Sequence, residues 1–104
     1  MLIEINTEDI DIFLEQNDFS LILFKTPTCR ICASLSDILE LLEEELDFRI
    51  IIGVVDVTRD DSVLDKFNLT SIPTLLLNKG GNIDKKSGSM SLEELLSWTN
   101  KYMI

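Results

Sequence analysis

Three short runs of consecutive apolar residues constrain the fold of this chain more than any other feature. They are residues 21–24, 50–52 and 75–77. A strand with apolar side chains in both directions must be covered on both faces, which is typical of sheets flanked by helices. The segments between these runs repeat their apolar residues at helical spacing. The pattern therefore predicts an α/β fold with helices on both sides of a central sheet.

The remaining signals divide the chain into nine elements. The predicted strands are residues 2–5, 20–25, 50–57, 73–78 and 82–87, and the predicted helices are residues 8–17, 29–47, 60–67 and 91–103. Ser91 and Glu94 form a capping-box pattern at the start of the last helix. Thr7 and Thr58 are candidate caps for the first and third helices. Asn68 suits the left-handed position that often ends a helix.

The chain is acidic, with 19 Asp and Glu against 9 Lys and Arg and a formal net charge of −10. This excess of negative charge argues against binding to nucleic acid or to anionic membrane surfaces. No apolar run approaches the roughly 18 residues of a membrane span, and the N-terminal residues lack a signal-peptide pattern. With 104 residues and 45% hydrophobic content, we expect one soluble domain, residues 1–104, in the cytoplasm.

Cys29 and Cys32 are the only cysteines, and they lie where a predicted strand is followed by a helix. Thiols at this spacing can close a small disulfide ring and reopen it by exchange. So short a loop adds little stability, because the entropic benefit of a disulfide grows with loop length. At the first turn of a helix, unpaired N–H groups and the helix dipole favour the thiolate, which is the nucleophile. In a reducing cytosol the pair is therefore expected to be catalytic or metal-binding.

This order of elements, with Cys-x-x-Cys opening the second helix, resembles the thioredoxin family. Pro27 precedes the first cysteine by two residues, and residues 55–57 look like the family's third strand. Residues 71–74, Ser-Ile-Pro-Thr, look like the family segment whose cis proline lies against the active disulfide. Gly88 matches the family glycine before the last helix. The resemblance implies a thioredoxin fold, in which a central mixed five-stranded sheet is flanked by four helices.

Several positions depart from the family pattern. Thr28 stands where the family has a tryptophan, and Arg30 and Ile31 replace its Gly-Pro. Leu23 and Val54 correspond to the family's buried acid and to the lysine that accompanies it. The resemblance therefore implies the dithiol chemistry without the usual proton-handling pair. Water, another carboxylate or the leaving thiolate could deprotonate the second cysteine, and the sequence leaves these alternatives open.

The resemblance implies a thiol–disulfide oxidoreductase that reduces protein disulfides. Cys29 is expected to attack, with the charge of Arg30 favouring its thiolate, and Cys32 is expected to resolve the mixed disulfide. Pro73 completes the catalytic set, and a cis bond there would leave the preceding backbone free to pair with an extended substrate. The rim that contacts the partner is expected to comprise Thr28, Arg30, Ile31, Val57, Ile72 and Gly88.

The implied partners are proteins that contain disulfides, with a thioredoxin-reductase-like enzyme or a low-molecular-weight thiol as electron donor. The family resemblance implies no cofactor beyond the redox-active disulfide, no metal, and a monomer. Two other functions remain open: a non-enzymatic interaction module with a redox latch, and a dimer whose four thiolates bind a metal or an iron–sulfur cluster. Thr28 could also serve only as a helix cap, and Pro73 only as a rigid turn.

Overall fold

The computed structural model describes residues 1–103 and contains a five-stranded mixed sheet. The strands are β1 (Ile3–Glu4), β2 (Phe19–Lys25), β3 (Ile51–Asp56), β4 (Thr74–Lys79) and β5 (Asn82–Ser87). A 3₁₀ turn (Thr7–Asp9) leads into α1 (Ile10–Gln16), and the other helices are α2 (Arg30–Glu45), α3 (Ser62–Lys66) and α4 (Leu92–Asn100). The predicted order of elements is confirmed. Over residues 1–103, no helix is both long enough and apolar enough to cross a bilayer.

The strands are arranged in the order β1-β3-β2-β4-β5. β1 and β2 both run parallel to β3, whereas β4 is antiparallel to β2 and to β5. Parallel neighbours need a crossover connection, and α2 provides it between β2 and β3. β2 is therefore the central strand, with a hydrogen-bonded neighbour on each side.

Successive side chains of β2 fill two separate cores. Leu21 and Leu23 pack with side chains of α2 and α4 on one face of the sheet, among them Leu39. Ile22 and Phe24 pack with side chains of α1 and α3 on the other face. All four β2 side chains have no exposed surface. This alternation is what a continuously apolar strand requires, because neighbouring side chains point to opposite faces.

Two of the predicted helix ends are confirmed. The Ser91 hydroxyl accepts a hydrogen bond from the Glu94 N–H at 3.1 Å, and the Glu94 carboxylate accepts one from the Ser91 N–H at 3.2 Å. This capping box gives partners to N–H groups that the start of α4 otherwise leaves unpaired. Asn68, just after α3, adopts a left-handed conformation with φ of 54°, which asparagine tolerates better than most residues.

The caps predicted at Thr7 and Thr58 are wrong, because both side chains bond elsewhere. Thr58 donates through its N–H and its hydroxyl to the Asp56 carboxylate, at 2.9 and 2.6 Å, and closes a turn after β3. α3 begins only at Ser62. The Thr7 hydroxyl donates to Asp60 at 3.2 Å and so links two loops. Short hydroxyl side chains support such turns as readily as they support helix starts.

β5 is an edge strand, and its single carboxylate, Asp84, fastens α4 to the sheet. Asp84 accepts hydrogen bonds from Trp98 Nε1 at 2.8 Å and from the Tyr102 hydroxyl at 2.9 Å. Donation by Trp98, supported by Tyr102, lowers the pKa of Asp84 although partial burial opposes the shift. The Asp84 carboxylate in turn raises the pKa of Tyr102. The sequence indicates only packing roles for Trp98 and Tyr102, because their shared acceptor lies on another element.

Removing this carboxylate should weaken the attachment of α4. Asp84→Ala is expected to lower the free energy of unfolding by about 1–3 kcal/mol at pH 7, because a buried indole N–H loses its charged acceptor. A folded-state pKa below the ordinary value means that the stabilisation is complete above about pH 4 and disappears as pH falls through the lowered pKa. Urea unfolding followed by Trp98 fluorescence, repeated from pH 2 to 7, measures both effects.

The matched control for this variant is Asp37→Ala, which removes an exposed carboxylate from α2. It is expected to change the free energy of unfolding by less than about 0.5 kcal/mol. If the Asp84→Ala protein were as stable as wild type at neutral pH, the anchoring role of Asp84 would be wrong.

Candidate active site

One edge of the sheet brings the sequence-predicted site residues together. β2 and β3 both end at this edge, with Lys25 opposite Asp56. The antiparallel β4 begins there, with Thr74 opposite Phe24. The chain leaves β2 and reaches Cys29 within one short loop. Functional residues of α/β sheets are commonly found just beyond the carboxyl ends of parallel strands, as here.

Cys29 and Cys32 form a disulfide at the start of α2, with their Cα atoms 5.2 Å apart. Cys29 is the N-cap residue, and its sulfur accepts a hydrogen bond from the Cys32 N–H at 3.1 Å. Such a bond stabilises a thiolate at Cys29 once the disulfide is reduced. Cys29 is half-buried, whereas Cys32 is only 1% exposed. A partner can therefore reach the first sulfur more easily than the second.

Pro73 lies at the same edge of the sheet, directly before β4. The Ile72–Pro73 peptide bond is cis. The Pro73 carbonyl accepts a hydrogen bond from the Gly88 N–H at 3.0 Å, which joins the start of β4 to the residue after β5. Gly88 has a φ of 90°, a conformation that residues with a side chain rarely adopt. The structure thus brings Ile72, Pro73 and Gly88 together.

The exposed part of the predicted rim consists of Thr28, Arg30 and Ile31. Ile31 is 49% exposed, and Arg30 forms no salt bridge with any residue in the described range 1–103. Val57 has a different environment, because it is only 5% exposed and packs in the core beside α1 and α3. Its N–H donates to the Lys25 carbonyl at 3.0 Å. Val57 therefore holds the end of β3 against β2 and offers little side-chain surface to a partner.

Comparison with known proteins assigns the family. The family profile described as Thioredoxin matches residues 1–101. The chain belongs to the thioredoxin family. It is 32% identical over 81 residues to thioredoxin from Bacillus subtilis, covering 77% of this chain and 78% of that protein. It is 30% identical over 105 residues to protein disulfide-isomerase 1 from Caenorhabditis elegans, covering 97% of this chain but only 21% of that much longer protein.

Solved structures of thioredoxins share the fold over nearly the whole chain. Chloroplastic thioredoxin z superposes with a TM-score of 0.89 at 17% identity, covering 97% of this chain and 93% of that one. Mitochondrial thioredoxin 3 from Saccharomyces cerevisiae, in its oxidized form, gives a TM-score of 0.84 at 20% identity, covering 96% and 94%. Likenesses at such low identity show the fold alone, and they confirm the predicted fold class.

This member of the thioredoxin family has an apolar pair where the resemblance places a buried acid and its lysine. Leu23 and Val54 are directly opposite each other in the β2–β3 ladder and are 0% and 8% exposed. Both side chains belong to the core that α2 and α4 cover. Neither can exchange a proton with Cys32. The dithiol of this thioredoxin-family chain therefore reacts without the ion pair expected from the family pattern.

Charged side chains appear two residues further along both strands. Lys25 and Asp56 are opposite each other and line a cleft of about 550 Å³, to which Pro27 and Arg59 also contribute. Hydrogen bonds from the Thr58 hydroxyl and N–H lower the pKa of Asp56, and the charges of Arg59 and Lys25 add to the shift. A carboxylate with a lowered pKa is a poor proton acceptor. Asp56 therefore contributes charge to this edge of the sheet and little capacity as a general base.

Sequence reasoning missed the side chains that hold the segment before β4. The Lys85 ammonium group donates hydrogen bonds to the carbonyls of Phe67 and Asn68. The hydroxyls of Ser87 and Thr74 hydrogen-bond each other, and Thr74 also donates to the Ser71 carbonyl. No local signal could have revealed them, because every residue of β5 except Ile83 is polar and the sequence does not show which side chains face which side of the strand.

Metal binding was the alternative use of the two thiols. Among the residues that the structure describes, no three His, Cys, Asp or Glu side chains converge into a group that could hold a metal ion. The chain has no histidine and two cysteines, so a tetrahedral thiolate site would require a second copy of the chain. Cys29 and Cys32 form the disulfide that the family resemblance implies as the redox group.

A carboxylate introduced at Leu23 tests how strongly this position excludes water. Leu23→Asp places an ionisable group at a position with no exposure, where burial is expected to raise its pKa. Because a raised pKa disfavours the ionised form in the folded state, the destabilisation should be smallest at acidic pH and grow as pH rises. At pH 7 we expect a loss of more than about 3 kcal/mol in the free energy of unfolding. Urea unfolding between pH 4 and 8 measures this dependence.

Leu23→Asn is the matched control, because asparagine has nearly the same shape and does not titrate. Its destabilisation should be independent of pH over this range. An equal loss for Leu23→Asp at every pH would mean that solvent reaches position 23.

Proposed function

We propose that this protein reduces disulfides in other proteins by dithiol exchange. The observation that carries the proposal is the Cys29–Cys32 disulfide at the start of α2 in a chain of the thioredoxin family. Cys29 is half-buried and within reach of a substrate, whereas Cys32 is buried. This difference suits a reaction in which Cys29 attacks the substrate first and Cys32 attacks the mixed disulfide second. Relatives named thioredoxin and protein disulfide-isomerase support thiol–disulfide exchange as the class of reaction.

The proposed reaction starts from the reduced dithiol. The Cys29 thiolate attacks one sulfur of the substrate disulfide, which forms a mixed disulfide and releases the first substrate thiolate. The Cys32 sulfur then attacks the Cys29 sulfur, which closes the 29–32 disulfide and releases the second substrate thiolate. In total the substrate gains two electrons and two protons, and the protein loses the same number. Because Leu23 and Val54 are apolar and the lowered pKa of Asp56 makes that carboxylate a poor base, the proton of Cys32 is proposed to pass to solvent or to the departing thiolate.

The substrate is proposed to bind across the rim around Cys29. Pro73 completes the catalytic set by holding the backbone of Ile72 where it can pair with an extended substrate segment. The proposed surface comprises Thr28, Arg30, Ile31, Ile72 and Gly88, and burial limits Val57 to a supporting role. Two observations support this surface: Thr28, Arg30 and Ile31 are exposed, and Ile72 and Gly88 lie at the same edge of the sheet.

A thioredoxin-reductase-like enzyme or a low-molecular-weight thiol is proposed to return the 29–32 disulfide to the dithiol. The proposed setting is the cytoplasm, because reducing compartments keep such donors available. The net charge of −10 supports a monomer without nucleic-acid or membrane partners, since like charges oppose both self-association and binding to anionic surfaces. Residues 1–104 are proposed to act as one domain.

Loss of either cysteine should abolish turnover. In an assay of insulin reduction by dithiothreitol, Cys29→Ser and Cys32→Ser are both expected to fall to the uncatalysed rate, because each thiol is used once per cycle. Only Cys32→Ser should retain the substrate as a mixed disulfide on Cys29, which mass spectrometry of the alkylated mixture detects. Wild-type protein that fails to accelerate insulin reduction, although its 29–32 disulfide is reducible, would contradict the proposal and favour the redox-latch module.

The charge of Arg30 should speed the attack of Cys29. Arg30→Gln is expected to slow alkylation of Cys29 by iodoacetamide at pH 7 by about 1.5- to 5-fold, the range for one exposed charge near a thiolate. The effect should shrink in 1 M salt, because salt screens exposed charges. Arg49→Gln, which removes a positive charge from the loop before β3, is the control and should leave the alkylation rate unchanged. Equal rates for Arg30→Gln and wild type at low salt would show that the side chain does not act on the sulfur.

A further inference from the structure

The side chains of the edge strand β5 alternate between two sides. Asp84 and Lys86 face α4: Asp84 accepts a hydrogen bond from Trp98, and Lys86 Nζ lies 5.7 Å from the centre of the Trp98 ring. Lys85 and Ser87 must face the opposite side, since successive side chains of a strand point in opposite directions. Their contacts on that side fall on the two ends of the connection from α3 to β4: Lys85 contacts Phe67 and Asn68 just after α3, and Ser87 contacts Thr74 at the start of β4.

Lys85 fixes the beginning of this segment. Its Nζ donates to the Phe67 carbonyl at 2.7 Å and to the Asn68 carbonyl at 3.2 Å. Carbonyls at the end of a helix lack partners within the helix, and a positive charge is favourable there. Lys85 therefore ties the end of α3 to β5 and determines where the connection toward Pro73 starts.

Ser87 fixes the other end of the segment through Thr74. The two hydroxyl oxygens lie 3.0 Å apart, and the Thr74 hydroxyl donates to the Ser71 carbonyl at 2.7 Å. A hydroxyl has one proton and a carbonyl can only accept, so the proton of Thr74 is used on Ser71. Ser87 must therefore be the donor to Thr74. The two hydroxyls form a relay from β5 to the backbone two residues before Pro73.

Residues 67–73 lie outside every helix and strand, so no regular ladder holds their backbone. The Lys85 contacts, the Ser87 relay and the bond from Gly88 to Pro73 hold the segment at both ends. Between these points, Ser71 is exposed and Ile72 is half-buried. The position of the Ile72 backbone therefore depends on contacts from β5 as well as on the packing of Leu69 and Ile72 against the core beside α1 and α3.

We propose that Lys85 and Ser87 are positioning residues for substrate binding, which hold residues 67–73 so that the Ile72 backbone is presented to an extended segment of the substrate. The inference rests on the proposed function, because it assigns a role within substrate binding. Both side chains act through this segment and not on the reacting sulfurs. Loss of either contact should therefore weaken binding of the substrate and leave the chemistry of the dithiol intact.

The test separates substrate binding from the reactivity of the dithiol. Ser87→Ala and Lys85→Gln are expected to raise the KM for insulin about 2- to 10-fold, the effect of losing modest hydrogen bonds, and to leave kcat unchanged. The rate at which dithiothreitol reduces the 29–32 disulfide should also stay the same, because this small reagent does not need the 67–73 segment for docking.

Two matched variants sharpen the result. Ser87→Thr keeps the hydroxyl and should restore the wild-type KM, whereas Lys86→Gln removes a positive charge from the side of β5 that faces α4 and should leave KM unchanged. The positioning role would be overturned if KM were unchanged in both Ser87→Ala and Lys85→Gln. It would also be overturned if the rise in KM came with equal decreases in kcat and in the rate of reduction by dithiothreitol. Failure of the proposed function is distinct, because in that case wild-type protein would not accelerate insulin reduction at all.

Discussion

The central strand β2 is the constraint on which the rest of the structure depends. It is hydrogen-bonded to β3 on one side and to β4 on the other, and its side chains from Leu21 to Phe24 are completely buried. A shift of its register by one residue would exchange the side chains of the two cores, so packing specifies the register strongly. The register also fixes where β2 ends and therefore where Cys29 caps α2. The Cys29 sulfur is thus placed by the packing of a strand to which Cys29 does not belong.

The same packing explains why charge near the dithiol is confined to the sheet edge. Leu23 and Val54 lie within an apolar core, where an unpaired charge would lose its hydration without compensation. Lys25 and Asp56, the next residues on the same face, reach a cleft in which Arg59 and solvent accompany them. Leu23 has no exposed surface, whereas Val54 is 8% exposed and already borders this cleft, so the change from buried to solvated positions begins at Val54. The chain can therefore keep the thioredoxin fold and the thiolate-stabilising helix start without a buried ion pair, because neither requires one.

The sequence predicts the features that depend on local pattern, and it fails where a side chain bonds across the fold. Continuous apolar runs define the strands, and the Ser91 capping box lies within one helical turn, so both predictions are confirmed. Thr58 closes a turn with Asp56 instead of capping a helix, because hydroxyl groups suit either role and only the tertiary path of the chain decides. The acceptor for Trp98 is Asp84, on a different element. Such a pair has no fixed sequence spacing, and no local pattern reveals it.

An edge strand usually carries charges that prevent it from pairing with another sheet, and β5 uses such charges for internal contacts as well. Asp84 holds α4 on one side of the strand, and Lys85 holds the end of α3 on the other. Contributions of side chains to stability are nearly additive only when the sites are far apart and share no partner. Asp84 and Lys85 are adjacent on the backbone of β5, and among residues 1–103 no strand lies beside the outer edge of β5. A displacement of β5 would therefore alter the attachment of α4 and the position of residues 67–73 together, which couples the stability of the fold to the geometry of the proposed substrate-binding edge.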